Sequence, residues 1–271
     1  QVLQRAMQYA ATYGYTVWLR PQELHLGKGV AASGPLATRL GLSGVPVAAE
    51  TIALHTIFAL MRSTRARVHL CRISSAEGVA LVRAAKAEGL PVTADVSINS
   101  LHLTDHDMGY FDSRARLTPV LRQQRDRDAL QAALADGTLD VLVSDHTPVD
   151  NDAKALPFAQ AEPGATGLEL LLGLALKWGE QSGAGLMRAL DVITAQPAHL
   201  LPEAASLGLG QLKMGGVADV VVFDPAQTWH VEPHALRSQG KHTPFAFDVS
   251  GIALGARVRA TLVNGRVVYQ A

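Results

Sequence analysis

Four β-rich runs alternate with helical patterns along this chain, and the alternation leaves few folds open to it. The runs are Tyr15–Arg20 (YTVWLR), Arg67–Ile73 (RVHLCRI), Pro91–Ser97 (PVTADVS) and Leu139–Val143 (LDVLV). Before the first run, Val2, Leu3, Ala6, Met7 and Ala10 recur at helical spacing, and Gly14 stops the pattern. Pro46 opens a second helical pattern reaching about Arg62, with proline where its missing N–H matters least. Ser74–Glu88 reads as a third helix, with Ser74 as N-cap and Glu77 completing a capping box. Arg125–Ala135 is the fourth. Strands that alternate with helices form βα units around a parallel sheet, so the fold class is α/β.

Beyond the fourth strand, Gly167–Gly179 and Leu186–Ala195 carry helical patterns. From Gln211 the texture changes to short strands with tight turns: ADVVVFDP, then ARVRATLVNGRVVYQ, which contains the hairpin dipeptide Asn264-Gly265. Residues 1–206 are therefore read as an α/β part and 207–271 as a small flanking β domain. Four βα units make only half of an eight-stranded barrel, and half a barrel has two open strand edges. Either roughly 150 residues precede Gln1, as typical barrel length suggests, or something else covers that surface.

A chain that is 48% hydrophobic can bury a large core. Its formal net charge of zero argues against a nucleic-acid or membrane-surface partner. Cys71 is the single cysteine, which excludes a disulfide framework or a cysteine zinc site and suits a reducing, cytoplasmic setting. No apolar stretch approaches the roughly 20 residues of a membrane span.

In barrels of parallel strands, chemistry sits at the C-terminal strand tips. Here those tips carry Arg20, Arg72, Asn99 just past its strand, and Asp145. An acid such as Asp145 can bind a metal, take a proton from water or cap the next helix. His146 beside it reads as a hydrogen-bonding support rather than an acid or base. His102 and His106, flanking Asp105, read as a solvated loop. His69 reads as a satisfied core histidine and Trp18 as barrel packing. Gly164 and Gly167 in PGATGLE permit a tight turn before a helix.

The motif series is distinctive: VHLCRISSAEG, PVTADVSINSLHLTD, LTPVLRQQRDRDAL and DGTLDVLVSDHTP, followed by PGATGLE, ADVVVFDP, GKHTPF and VNGRVVY. Across essentially the whole chain it resembles the dihydroorotases, zinc amidohydrolases that close carbamoyl aspartate to dihydroorotate. The resemblance implies the C-terminal half of a (β/α)8 TIM-type barrel of the amidohydrolase kind. It also implies metal-binding histidines where this chain has Arg20 and Arg72, and a histidine where it has Val149. SINSL stands where the family has Thr-Pro-His-His-Leu, placing Asn99 in that loop, and Thr118 replaces a substrate-touching asparagine. Asp145 and His146 match. A guanidinium has no lone pair to donate and stays protonated. At 4 Å and an effective dielectric of 20, each would oppose a divalent ion by roughly 8 kcal/mol.

Three readings follow from the resemblance. The first is an inactive dihydroorotase-like subunit of pyrimidine biosynthesis, with Asp145 vestigial, no metal and no cofactor. It would be a homo-oligomer and a structural partner of the aspartate transcarbamoylase catalytic chain. The second is an active cyclic-amide hydrolase with a remodelled site and Asp145 as base. The third is a protein that holds a carboxylate ligand between the two arginines. The former pocket would comprise Arg20, Arg72, Asn99, Thr118 and His146, with Arg20 and Arg72 pairing to Asp145.

Overall fold

The computed structural model describes residues 1–271, apart from the side chain at position 205. Helix α1 (Val2–Tyr13) leads into strand β1 (Thr16–Leu19). A loop follows, holding a parallel pair, β2 (Ala31–Ala32) and β3 (Gly44–Val45), around α2 (Pro35–Leu40). Then come α3 (Ala48–Thr64), β4 (Arg67–Leu70), α4 (Ala76–Ala87), β5 (Val92–Ser97), α5 (Ile98–His102), α6 (Gln124–Asp136) and β6 (Val141–Val143). Strands β1, β4, β5 and β6 form one parallel sheet in that spatial order. Sequence order and spatial order agree, as expected of successive βα units.

The helices bury the inner strands of the sheet, as parallel strands require, whereas β1 stays partly exposed. Val92, Ala94, Val96 and Ser97 of β5 are all buried. Leu54, Phe58 and Met61 of α3, Val79 and Val82 of α4, and Leu130 and Leu134 of α6 join the same core. Met7, fully buried, anchors α1 to it; truncating such a side chain to alanine costs about 2–5 kcal/mol.

After β6 the chain forms α7 (Asn151–Ala155), α8 (Leu171–Gln181) and α9 (Gly185–Asp191). The C-terminal region contributes β7 (Val220–Asp224), β8 (Trp229–His230), β9 (Ala253–Leu254), β10 (Arg257–Val263) and β11 (Arg266–Gln270). The antiparallel sheet runs in the order β11-β10-β7. Asn264 and Gly265 join β10 to β11 with φ of 48° and 75°. Two successive positive φ values define the hairpin turn that this dipeptide favours.

Several local expectations are corrected. Ser75, not Ser74, caps α4, accepting from the Gly78 N–H at 3.0 Å. Both serine hydroxyls donate to Glu50, but the Ser74 oxygen accepts from Arg122 Nε at 2.9 Å rather than from the helix. Helix α3 begins at Ala48 rather than Pro46, whose carbonyl instead accepts the Ala49 N–H at 3.0 Å. The β4 run stops at Leu70 because Arg72 takes φ 62°, which takes the chain off the ladder. His102, read as part of a solvated loop, instead closes α5, which is capped when the Ser97 hydroxyl accepts the Asn99 N–H. The His102 Nε2 lies 3.0 Å from the Leu174 carbonyl of α8.

Candidate functional site

The β1, β4, β5 and β6 exits converge on one mouth. Arg72 follows β4, and its main-chain N–H donates to Asp95 Oδ1 at 2.7 Å. Its Nη1 donates to Asp145 Oδ1 at 2.7 Å, and to the Thr118 carbonyl at 3.4 Å. Asp145, just past β6, is almost entirely covered, with an 8% exposed side chain against 28% for Arg72. A charged pair this withdrawn from water persists only when its geometry is good. Both residues have left-handed backbones, with φ 62° at Arg72 and 48° at Asp145. Non-glycine residues adopt that region at a cost of order 1–3 kcal/mol, and such sites cluster where function demands a set geometry.

Arg20 leaves β1 and lines the same mouth, sharing a cavity of about 30 Å³ with Glu50, Arg72, Ser74, Thr118 and Arg122. The expected pairing with Asp145 therefore holds for Arg72 alone. Among the described residues, Arg20 makes no hydrogen bond or ion pair. Burial, then the neighbouring Arg72 cation, holds its guanidinium down to about 10, against weaker support from Asp145 and Glu50. An adjoining cavity of about 90 Å³ is lined by Arg72, Asn99, Thr118, Asp145, Thr147 and Gly164. Five of the predicted site residues (Arg20, Arg72, Asn99, Thr118 and Asp145) thus share one connected region.

His146 sits at its margin. Its Nδ1 accepts the Gly167 and Leu168 N–H groups, each at 3.2 Å, so that nitrogen carries no proton. The ring anchors the chain that returns past β6. Val149 is buried nearby, where a Cβ on Gly164 would come within 2.9 Å of its Cγ2.

Of the buried acids, Glu50 and Asp95 contact the residues of this mouth, and neither was singled out by the sequence reading. Glu50 of α3 accepts from the N–H and hydroxyl of both Ser74 and Ser75, at 2.5–3.1 Å. Arg122 donates through Nε to the Ser74 hydroxyl at 2.9 Å, extending the network. Nothing local in the sequence marks Glu50. Asp95 was legible in principle, as an acid inside the apolar run VTADVS. It receives the Arg72 N–H on one oxygen and lies 3.0 Å from His69 Nε2 on the other. The other His69 nitrogen lies 2.8 Å from the Thr93 hydroxyl, so His69 is a satisfied core residue. Trp18 packs over that ring, with 4.4 Å between centroids, and is itself 51% exposed. His106 is exposed.

A metal fits neither place where it might be sought. At the strand tips Asp145 is the one anionic donor, and Arg72 occupies it. His69, Cys71 and Asp95 bring donor atoms within 4.8 Å of one another. Yet both nitrogens of His69 and both oxygens of Asp95 are engaged. Burial, followed by the Asp95 charge, pushes the Cys71 thiol up to about 11, far from the thiolate a metal needs.

A parallel sheet with its polar residues gathered at the C-terminal exits defines a class, and comparison with known proteins names it. The profile of the amidohydrolase family matches residues 43–269, and the chain belongs to that family. It is 40% identical over its full length to a dihydroorotase-like protein of Pseudomonas aeruginosa. It is 39% identical, again over its full length, to a dihydroorotase of Geobacter sp. strain M21. The chain spans 62% of the length of each of these relatives. Among solved structures it resembles L-hydantoinase from Arthrobacter aurescens, with a TM-score of 0.85 and 25% identity, covering 99% of this chain and 60% of that one. Dihydropyrimidinase from Brevibacillus agri superposes with a TM-score of 0.81 at 22% identity, covering 99% and 59%, and supports the barrel fold. No described helix is long and apolar enough to cross a membrane.

Proposed function

We propose that this chain is part of a non-catalytic dihydroorotase-like protein of pyrimidine biosynthesis, which serves as a structural partner of aspartate transcarbamoylase. One observation carries the reading: Arg72 holds the Asp145 carboxylate at 2.7 Å, where the related enzymes keep metal ligands. Arg20 adds a second fixed cation to the same mouth. Without a bound divalent ion, water at neutral pH lacks the activation that hydrolysis of a cyclic amide needs. The 40% identity to a protein named dihydroorotase-like is in keeping with this reading.

The test has two arms. Metal analysis and a dihydroorotate assay on the purified protein are expected to give no stoichiometric zinc and no turnover. Tagged transcarbamoylase chain is expected to co-purify with the protein and to lose assembly when it is deleted. A transcarbamoylase indifferent to the deletion would remove the partner role.

The second reading is an active cyclic-amide hydrolase, and the 39% identity to a protein named dihydroorotase favours it. Asp145 would then have to act as base while its Oδ1 is engaged by Arg72. Turnover abolished by Asp145→Asn would establish it.

A further inference from the structure

We propose that the mouth between Arg20 and Arg72 is a binding site for one small oxyanion, a carboxylate or a phosphate. The inference rests on the reading above that no metal occupies this place, and it assigns the pocket a ligand of opposite sign.

The charges around the mouth do not cancel. Arg20, Arg72 and Arg122 line the first cavity, while Glu50 and Asp145 are the carboxylates bordering the two cavities. Three cations against two anions leave one positive charge. Neither acid is hydrogen-bonded to Arg20, although both lie near enough to favour its charge. The Glu50 oxygens are taken by the four donors of Ser74 and Ser75, and Asp145 Oδ1 by Arg72. A guanidinium carries five N–H donors. Those of Arg20 have no partner among the described residues, and neither do Nε and Nη2 of Arg72. Two guanidiniums with unused donors on one wall match an oxyanion, which accepts paired N–H bonds from such forks. Burial first, and the Arg72 cation second, depress the proton affinity of Arg20.

Size limits the ligand. The first cavity is about 30 Å³, and each water-sized sphere takes roughly 10–15 Å³. It therefore holds roughly two or three water-sized groups, the scale of a carboxylate head, and the five heavy atoms of a phosphate would draw on the adjoining cavity as well. The adjoining 90 Å³ cavity can receive a short tail beside Asn99 and Thr118. A nucleotide would not fit.

The experiment is calorimetric titration of the full-length protein with sodium acetate, sodium malonate and sodium phosphate, at pH 7.5 and constant ionic strength. The expected result is saturable one-to-one binding of at least one probe. Arg20→Gln should weaken it at least tenfold, and Arg20→Lys, which keeps the charge, should weaken it less. Saturation by phosphate alone or by the carboxylates alone supports the site and identifies its class. A second readout is thermal. In anion-free buffer Arg20→Gln should melt higher than the parent, because it removes an unpaired cation, and a saturating probe should abolish that gain. Non-saturating heats with all three probes, or binding undiminished in Arg20→Gln, would overturn the proposal. Zinc measured in the same preparation separates the two claims. Stoichiometric metal defeats the non-catalytic reading, whereas metal-free protein that ignores anions defeats this one alone.

Discussion

Arg72 and Asp145 stand 73 positions apart in sequence and meet at 2.7 Å, and each is a non-glycine residue with a positive φ. The ion pair and the two left-handed backbones belong to one arrangement. Each strand turns sharply at its exit, and the turn delivers one charged side chain to the other. Asp145→Ala should cost about 3 kcal/mol, at the low end for a broken buried pair because Arg72 is partly exposed. The Arg72→Ala/Asp145→Ala double variant should lose less than the sum of the single ones. Urea unfolding of all four proteins measures the coupling.

Glu50 is a buried anion held by four hydrogen bonds from two serines. Glu50→Gln turns one acceptor oxygen into a donor facing other donors. We expect a loss of about 3 kcal/mol in urea unfolding, with the capping of α4 loosened, because a donor left unmatched in a buried site carries its full desolvation cost. Hydrogen exchange at Gly78, whose N–H the Ser75 hydroxyl receives, should quicken in the variant.

His102 should make the protein acid-sensitive. Burial holds its imidazole down to about 4, against an ordinary value of 6.5. The unfolded chain therefore takes up a proton between those values that the folded chain refuses. Stability is full above pH 6.5 and falls as pH drops toward 4, by roughly 3 kcal/mol in total. In His102→Gln that slope should be missing from melting temperatures recorded between pH 4 and 7.

Lys154 should act at the alkaline end. Its ammonium is buried against the Ser113 and Arg116 carbonyls, at 2.9 and 3.1 Å. Burial, then the Arg116 cation, brings it down from 10.5 to about 8. Between those values the unfolded chain binds the extra proton, so stability rises with pH across the window. Lys154→Met lacks this rise. The difference in melting temperature between parent and variant should shift in favour of the parent from pH 8 to 10.

The parallel sheet was readable because alternation between β-rich runs and helical spacing is a local property, repeated four times. The turn at Asn264-Gly265 was readable because that dipeptide needs no distant partner. Features set by distant partners were not readable. Ser74 has the sequence context of a cap, but Arg122, 48 positions later, donates to its hydroxyl oxygen. His102 lies between Leu101 and Leu103 in a segment otherwise rich in polar residues, and α8 and Phe245, whose ring lies 6.1 Å away, enclose it. The strand tips were predicted as a set, and the mouth brings Arg20, Arg72, Asn99 and Asp145 together. The exclusive pairing of Arg72 with Asp145, leaving Arg20 alone, depends on backbone turns that no periodicity reports.

The segment returning past β6 presses its main chain against that strand's exit. A Cβ on Gly167 would lie 2.3 Å from the Ser144 carbonyl oxygen, and one on Gly164 would lie 2.5 Å from that of Thr147. Peptide groups therefore build that flank of the mouth, and mutation can displace them but cannot change their chemistry. Whatever such a mouth comes to recognise over evolutionary time must be decided on the opposite flank, where Arg20 and Arg72 stand.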